Sequence, residues 1–123
     1  MIEITIKDVV EGLHSLVDLK GEEYRYPHAG GVCLYVEGGQ PSCIVGHFLH
    51  NAGVPLERLV RADGGVSDSL GVPAEDLLVD LRSEGVINYT DSNVARMLQI
   101  AQGTQDSGYT WSHSVGQAVR SYR

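Results

Sequence analysis

The chain has 123 residues, 42% of them apolar and 20% charged, and its 9 Lys and Arg against 16 Asp and Glu give a formal net charge of -7. That is the size of one domain with enough apolar surface to build a core, which sets aside the disordered class. No Lys/Arg cluster is present to neutralise phosphates, so neither nucleic acid nor an anionic membrane is expected as a partner, while the acidity suits a partner with a basic surface.

The first predicted element is a helix over residues 8–20. Val9, Val10, Leu13, Leu16 and Val17 make one apolar face, Thr5 is placed to cap it with Asp8 three residues on, Gly21 ends it, and His14 lies off the stripe. Two stretches rich in β-branched and aromatic residues follow, "YRY" (24–26) and "VCLYVE" (32–37), joined by "PHAGG". Their chemistry predicts a hairpin, with "GGQP" (38–41) breaking the second strand. In that strand Val32, Leu34 and Val36 share one face, and Cys33 and Tyr35 the other.

Ser42 is the expected cap of a helix over Cys43–Ala52, stopped by Gly53. Pro55 opens a short helix, "PLERLVRA", and Pro73 another, "PAEDLLVDLRSE", closed by Gly85. Both are preceded by Gly-Val, a recurrence that reads as a shared solution to stopping one element and starting the next rather than as a duplication. Residues 91–106 form the next helix, capped by Asp91 or Ser92, with Val94, Met97, Leu98, Ala101 and Gln105 inward and Gly108 beyond its end. The last helix runs from Trp111 to Tyr122 with Thr110 as cap, and Trp111, Val115, Ala118, Val119 and Tyr122 on one side. The expected fold is therefore α+β: a single small domain over residues 1–123, with five or six short helices packed on a small antiparallel hairpin or sheet. Fifteen glycines fit short elements and frequent turns. The mid-helix glycines Gly46, Gly103 and Gly116 each cost helix stability, which predicts tightly packed helices, with the hairpin close to Gly46.

One cluster carries candidate chemistry. At 100° per residue the third element is two-sided: Ile44, Val45, Phe48, Leu49 and Ala52 face the core, and Cys43, His47 and His50 face away from it. Amphipathicity alone produces that grouping, and a solvated polar face is the plain explanation. As a catalytic site, Cys43 in a helix's first turn is a nucleophile whose thiol pKa the free N–H groups lower, and His47 takes its proton. As a metal site, Cys33, Cys43, His47 and His50 supply the sulfur and nitrogen ligands zinc prefers, with His28 as a substitute, although neither the x9 spacing of the cysteines nor the x2 spacing of the histidines is the usual one. No phosphate loop, H-E-x-x-H, G-x-S-x-G or paired-carboxylate pattern is present, and Asp63, Asp68, Asp76 and Asp80 do not match a calcium loop. No cofactor is expected on the first reading, and zinc on the second.

"TQDSGYTWSHS" (104–114) gathers Gln105, Asp106, Tyr109 and Trp111, the sole tryptophan, around a tight turn. They are candidates for a partner-binding patch, since Tyr and Trp anchor interfaces; the structural alternative is a buried Trp at a corner with Asp106 capping the next helix.

"PSCIVGHFLHNAGVPLERL" (41–59) and "VARMLQIAQGTQDSGYTWSHSVGQA" (94–118) together resemble small uncharacterised proteins of actinobacteria and their phages, in which a Cys-Ile-Val-Gly-His helix leads into Gly-Val-Pro and a Gln-Asp-x-Gly turn precedes a Trp. The resemblance covers somewhat over a third of the chain and implies a phage or prophage setting without a biochemical role. The expected function is a non-enzymatic accessory protein that binds a host protein or itself; the alternative is a small zinc-binding or cysteine-dependent enzyme at Cys43, His47 and His50. No apolar run reaches the roughly 20 residues of a bilayer span, and the opening "MIEITIKDVVEG" is unlike a signal peptide. The expected location is the cytoplasm, the host's if the protein is phage encoded, with Cys33 and Cys43 as thiols and a disulfide between them only in an oxidising compartment.

Overall fold

The computed structural model describes residues 1–27, 34–64 and 73–122, the side chains of 61–64 excepted. Its elements run β1 (Ile2–Glu3), α1 (Ile6–Lys20), β2 (Val36–Glu37), β3 (Gln40–Pro41), α2 (Ile44–Ala52), α3 (Leu56–Gly64), α4 (Ala74–Ser83), β4 (Ile87–Asn88), α5 (Asn93–Asp106) and α6 (Trp111–Tyr122). This is a small α+β domain of six helices with two short strand pairs among the described residues.

Helix α1 starts where its capping chemistry places it. The Thr5 hydroxyl accepts from the Asp8 N–H at 3.1 Å and the Asp8 carboxylate accepts from the Thr5 N–H at 2.9 Å, a reciprocal box that satisfies two otherwise free donors. Val9, Leu13 and Leu16 are buried, and His14 is exposed. Helix α2 ends in a Schellman motif. Gly53, at φ 111°, donates to the His50 carbonyl at 3.0 Å, and Val54 donates to the Leu49 carbonyl at 2.9 Å. Glycine suits that position because a Cβ is disfavoured at this φ. The following residue, Val54, is buried, and Pro55 then leads into α3. The ends of α4 and α5 close by the same pair of bonds.

The core is a continuous layer between helices. Helices α5 and α6 form an antiparallel hairpin that packs on α1, α2 and α4. The α5 stripe Val94, Met97, Leu98, Ala101 and Gln105 is wholly buried, as are Trp111, Val115 and Ala118 of α6. Tyr122, the last residue of α6 and expected on the inner side, is 46% exposed.

The strands differ from expectation. The hairpin is β2–β3, with Val36 opposite Pro41 and Glu37 opposite Gln40. "GGQP" is thus its turn and return strand rather than a breaker: Gly38 and Gly39 have φ 60° and 78°, as a two-residue hairpin turn requires. The expected pairing of 24–26 with 32–37 is replaced, for the described residues, by a bridge from Arg25 to Thr110 at the α5–α6 corner; residues 28–33 lie outside the described residues. A second pair was not expected at all: β1 runs parallel to β4, Ile2 beside Ile87 and Glu3 beside Asn88, with Ile4 and Ile87 buried beneath.

Candidate functional site

The start of α2 lies where three elements converge. Its cap is Cys43 rather than Ser42: the Sγ accepts from the Gly46 N–H at 3.4 Å, while the Ser42 hydroxyl meets the Tyr26 hydroxyl at 3.0 Å. The Ile44 N–H, another first-turn donor, is satisfied from across the core by Gln105 Oε1 at 2.7 Å. Opposite, the hairpin's incoming backbone crosses so near that a Cβ on Gly46 would stand 2.2 Å from the Tyr35 carbonyl oxygen. The expected close approach at Gly46 is therefore present. Gly103 has open space around it and Gly116 meets only the Arg120 guanidinium, so tight packing does not explain those two.

These contacts correct the placement of Cys43. It does not face away from the core; it is fully buried, and its N–H donates to the Leu34 carbonyl at 3.1 Å. His47, one turn on, is half-buried. Its Nδ1 is 3.0 Å from the Cys43 carbonyl oxygen, and since a carbonyl only accepts, Nδ1 carries the proton in this bond. The imidazole thus bonds the backbone of residue 43. It also packs edge-on against Trp111, with centroids 5.2 Å apart at 74°. Burial lowers the His47 pKa, helped by the positive charges of Lys20 and His50 and opposed by the Cys43 carbonyl. His50 is exposed. The three residues grouped by the sequence are thus separated by environment: one sealed, one wedged, one in water. Among the described residues no group of three or more His, Cys, Asp or Glu stands close enough to hold a metal ion. Cys33 and His28 lie outside the described residues.

The second candidate region is the α5–α6 corner. Trp111 is fully buried, and its Nε1 has no hydrogen-bond partner among the described residues. Tyr24 meets it edge-on at 4.8 Å and 81°, with Lys20 Nζ 5.1 Å from the Tyr24 ring centre. The Trp111 N–H donates to the Tyr24 carbonyl at 2.9 Å, and the Arg25 guanidinium donates to the Gly108 carbonyl. The segment before the hairpin is thereby bound to the corner. Thr110, not Asp106, caps α6, accepting the His113 N–H at 3.1 Å; Asp106 instead accepts from Gln105 Nε2 at 2.9 Å.

The four patch candidates accordingly divide. Gln105 and Trp111 are interior and build the corner; Asp106 is half-buried; Tyr109 alone is open, 50% exposed, its ring stacked on His113 at 4.6 Å and 28°. The pair borders a shallow groove between α5 and α6 that also includes Ile100, Thr104 and Gln117. His113 was not singled out from the sequence, although its spacing of four from Tyr109 across the Thr110 cap was a readable signal. No helix of the described residues is long and apolar enough to cross a membrane. No family model, curated protein or solved structure matches the chain.

Proposed function

We propose that this chain is a non-enzymatic protein-binding module whose contact face is the α5–α6 groove. The observation that carries the reading is the open Tyr109 ring, held against His113 and bordering that groove. A tyrosine already fixed by a stacked neighbour loses little further freedom on binding and offers both ring area and a hydroxyl, which is what interface anchors supply. Charge placement supports the same face. Between Asn93 and Tyr122 the sequence has one carboxylate, Asp106, against Arg96 and Arg120, while the whole chain carries 16 acids. The two helices that form the groove thus contribute little of the chain's negative charge.

The resemblance to actinobacterial and phage proteins supports a phage or prophage accessory role exerted in the host cytoplasm, on a host protein or through self-association. The cysteine-enzyme and zinc alternatives gain nothing from the placement of their residues, with Cys43 sealed and His50 in water. The test is affinity capture from an actinobacterial lysate together with sedimentation of the purified chain, for the wild type and for Tyr109→Ala. A stoichiometric partner or a dimer that Tyr109→Ala loses, at unchanged thermal midpoint, is the expected result. A monomer with no partner, or a variant that binds as the wild type does, overturns the reading.

A further inference from the structure

Helix spacing gives the α5–α6 groove two unlike ends. Thr104 and His113 line it beside the corner, and Ile100 and Gln117 line it one turn further along. On the same two stripes the next positions are Arg96, four residues before Ile100, and Arg120, three after Gln117. The helices run antiparallel, so both arginines fall at the end away from the corner, and both are exposed. Neither has an ion pair or a side-chain hydrogen bond among the described residues. The other described cations are engaged: Lys7 with Glu11, Lys20 over Tyr24, Arg25 with the Gly108 carbonyl, Arg58 with Glu84 and Arg82 over Tyr89. The groove is therefore aromatic at the corner, where Tyr109 stacks on His113, and cationic at its far end. Between the two it is open over Gly103, where nothing stands within 4 Å of the position a Cβ would take.

The same chain carries a surface that complements this one. Helix α4 buries Ala74, Leu77, Leu78 and Leu81, yet Val79 on its other side is 44% exposed. Glu75 and Asp76, both exposed, stand four and three residues before Val79, and neither carboxylate has an ion pair among the described residues. The spacings match. On α4 the two carboxylates precede the apolar residue by one turn, about 5.4 Å, as Arg96 precedes Ile100 on α5. Laid parallel to α5, an α4 from outside sets Val79 over Ile100 and Gly103 while its carboxylates reach Arg96 and Arg120. We infer that the occupant of the groove is α4 of a second copy of this chain, in a two-fold dimer where each copy offers both its groove and its α4. This rests on the groove being the contact face and names what fills it. The two surfaces are neighbours on one molecule, since α4 packs on α5 and the Glu75 N–H donates to Gln99 Oε1 at 2.9 Å. That adjacency lets a two-fold axis make both contacts at once and close the assembly at two copies. Exposed ion pairs add little affinity, so Val79 and the Tyr109 end supply it, while the charges select register and partner.

The test is sedimentation equilibrium of the full chain at concentrations up to about 100 μM, with two charge-reversed variants. One is Arg96→Glu with Arg120→Glu, the other Glu75→Lys with Asp76→Lys. The wild type should dimerise, and each variant alone should dimerise at least about tenfold more weakly. An equal mixture of the two variants should recover a dimer. In the mixed pair the reversed groove meets the reversed helix, and the two unaltered surfaces meet each other. Recovery on mixing also shows that both variants fold. A wild type that stays monomeric, a dimer that neither reversal weakens, or a mixture that stays monomeric would each overturn the inference. A monomeric chain that still captures a host protein, with the capture lost in Tyr109→Ala, sinks the second copy as occupant and leaves the groove as the contact face.

Discussion

Gln105 Oε1 on α5 accepts the first N–H of α2, that of Ile44, at 2.7 Å in a fully buried setting. A helix start normally takes such an acceptor from a residue just before it. Here a side chain 61 positions away supplies it, and so ties two helices together. Replacing Gln105 with Leu keeps the size and strands the Ile44 donor in the core. The expected loss is about 1–3 kcal/mol of unfolding free energy, read by chemical denaturation. A variant as stable as the wild type would show that the bond contributes nothing.

Two mid-helix glycines should respond oppositely to the same change. Gly46→Ala places a methyl group 2.2 Å from the Tyr35 carbonyl, a backbone atom that also accepts the Ser42 N–H at 2.9 Å. Overpacking there should cost at least about 2 kcal/mol, more than alanine's helical advantage of about 1. Gly103→Ala meets nothing within 4 Å. It should gain about 0.5–1 kcal/mol. Thermal and denaturant midpoints of the two variants, measured side by side, check the sign of each.

What the sequence disclosed follows the range of the forces involved. The helices were readable because apolar spacing and caps act within one turn, as at Thr5–Asp8 and in the buried stripe from Val94 to Gln105. The strands are two residues long, too short to show alternation. The β1–β4 pair joins residues 85 positions apart, and the Gly38–Gly39 turn has the composition of a breaker as well as of a hairpin. At the candidate site, angular position around α2 placed Cys43 outward, but that reasoning describes the sides of a helix and not its end. Cys43 sits at the end, where the first turn of α2 meets Leu34, Tyr35 and Gln105, which no local pattern couples to it. The turn at 104–114 was readable as a corner, but which of its aromatics stayed in water depended on Tyr24 reaching Trp111.

The buried cap makes a chemical prediction. Cys43 has no exposure and its Sγ is engaged by the Gly46 N–H. In a Cys33→Ser chain, so that only this thiol reports, a neutral aromatic disulfide should label the native protein at least about a hundredfold more slowly than the unfolded chain, because reaction must await opening. The rate should rise with denaturant in parallel with unfolding. Fast labelling under native conditions would place the thiol at the surface and restore the nucleophile reading.

Stability should also fall with mild acid through His47. Its imidazole is half-buried against Trp111, with Lys20 from α1 and His50 from its own helix adding positive charge, and burial is the largest cause of its lowered pKa. The unfolded chain therefore binds a proton near the ordinary value of 6.5, while the folded chain resists until lower pH. Between those two values the unfolded state holds more protons, so the slope of stability with pH is positive. The contribution is complete above the unfolded value and is lost as pH falls through the folded one. Denaturation midpoints from pH 7.5 down to 5 should decline in the wild type, and the decline should be smaller in His47→Gln, whose amide can still donate to the Cys43 carbonyl. Proton titration of the His47 ring by NMR gives the direct check: a midpoint at or above the ordinary value, or equal slopes in the two chains, would rule out this imidazole as the acid-sensitive group.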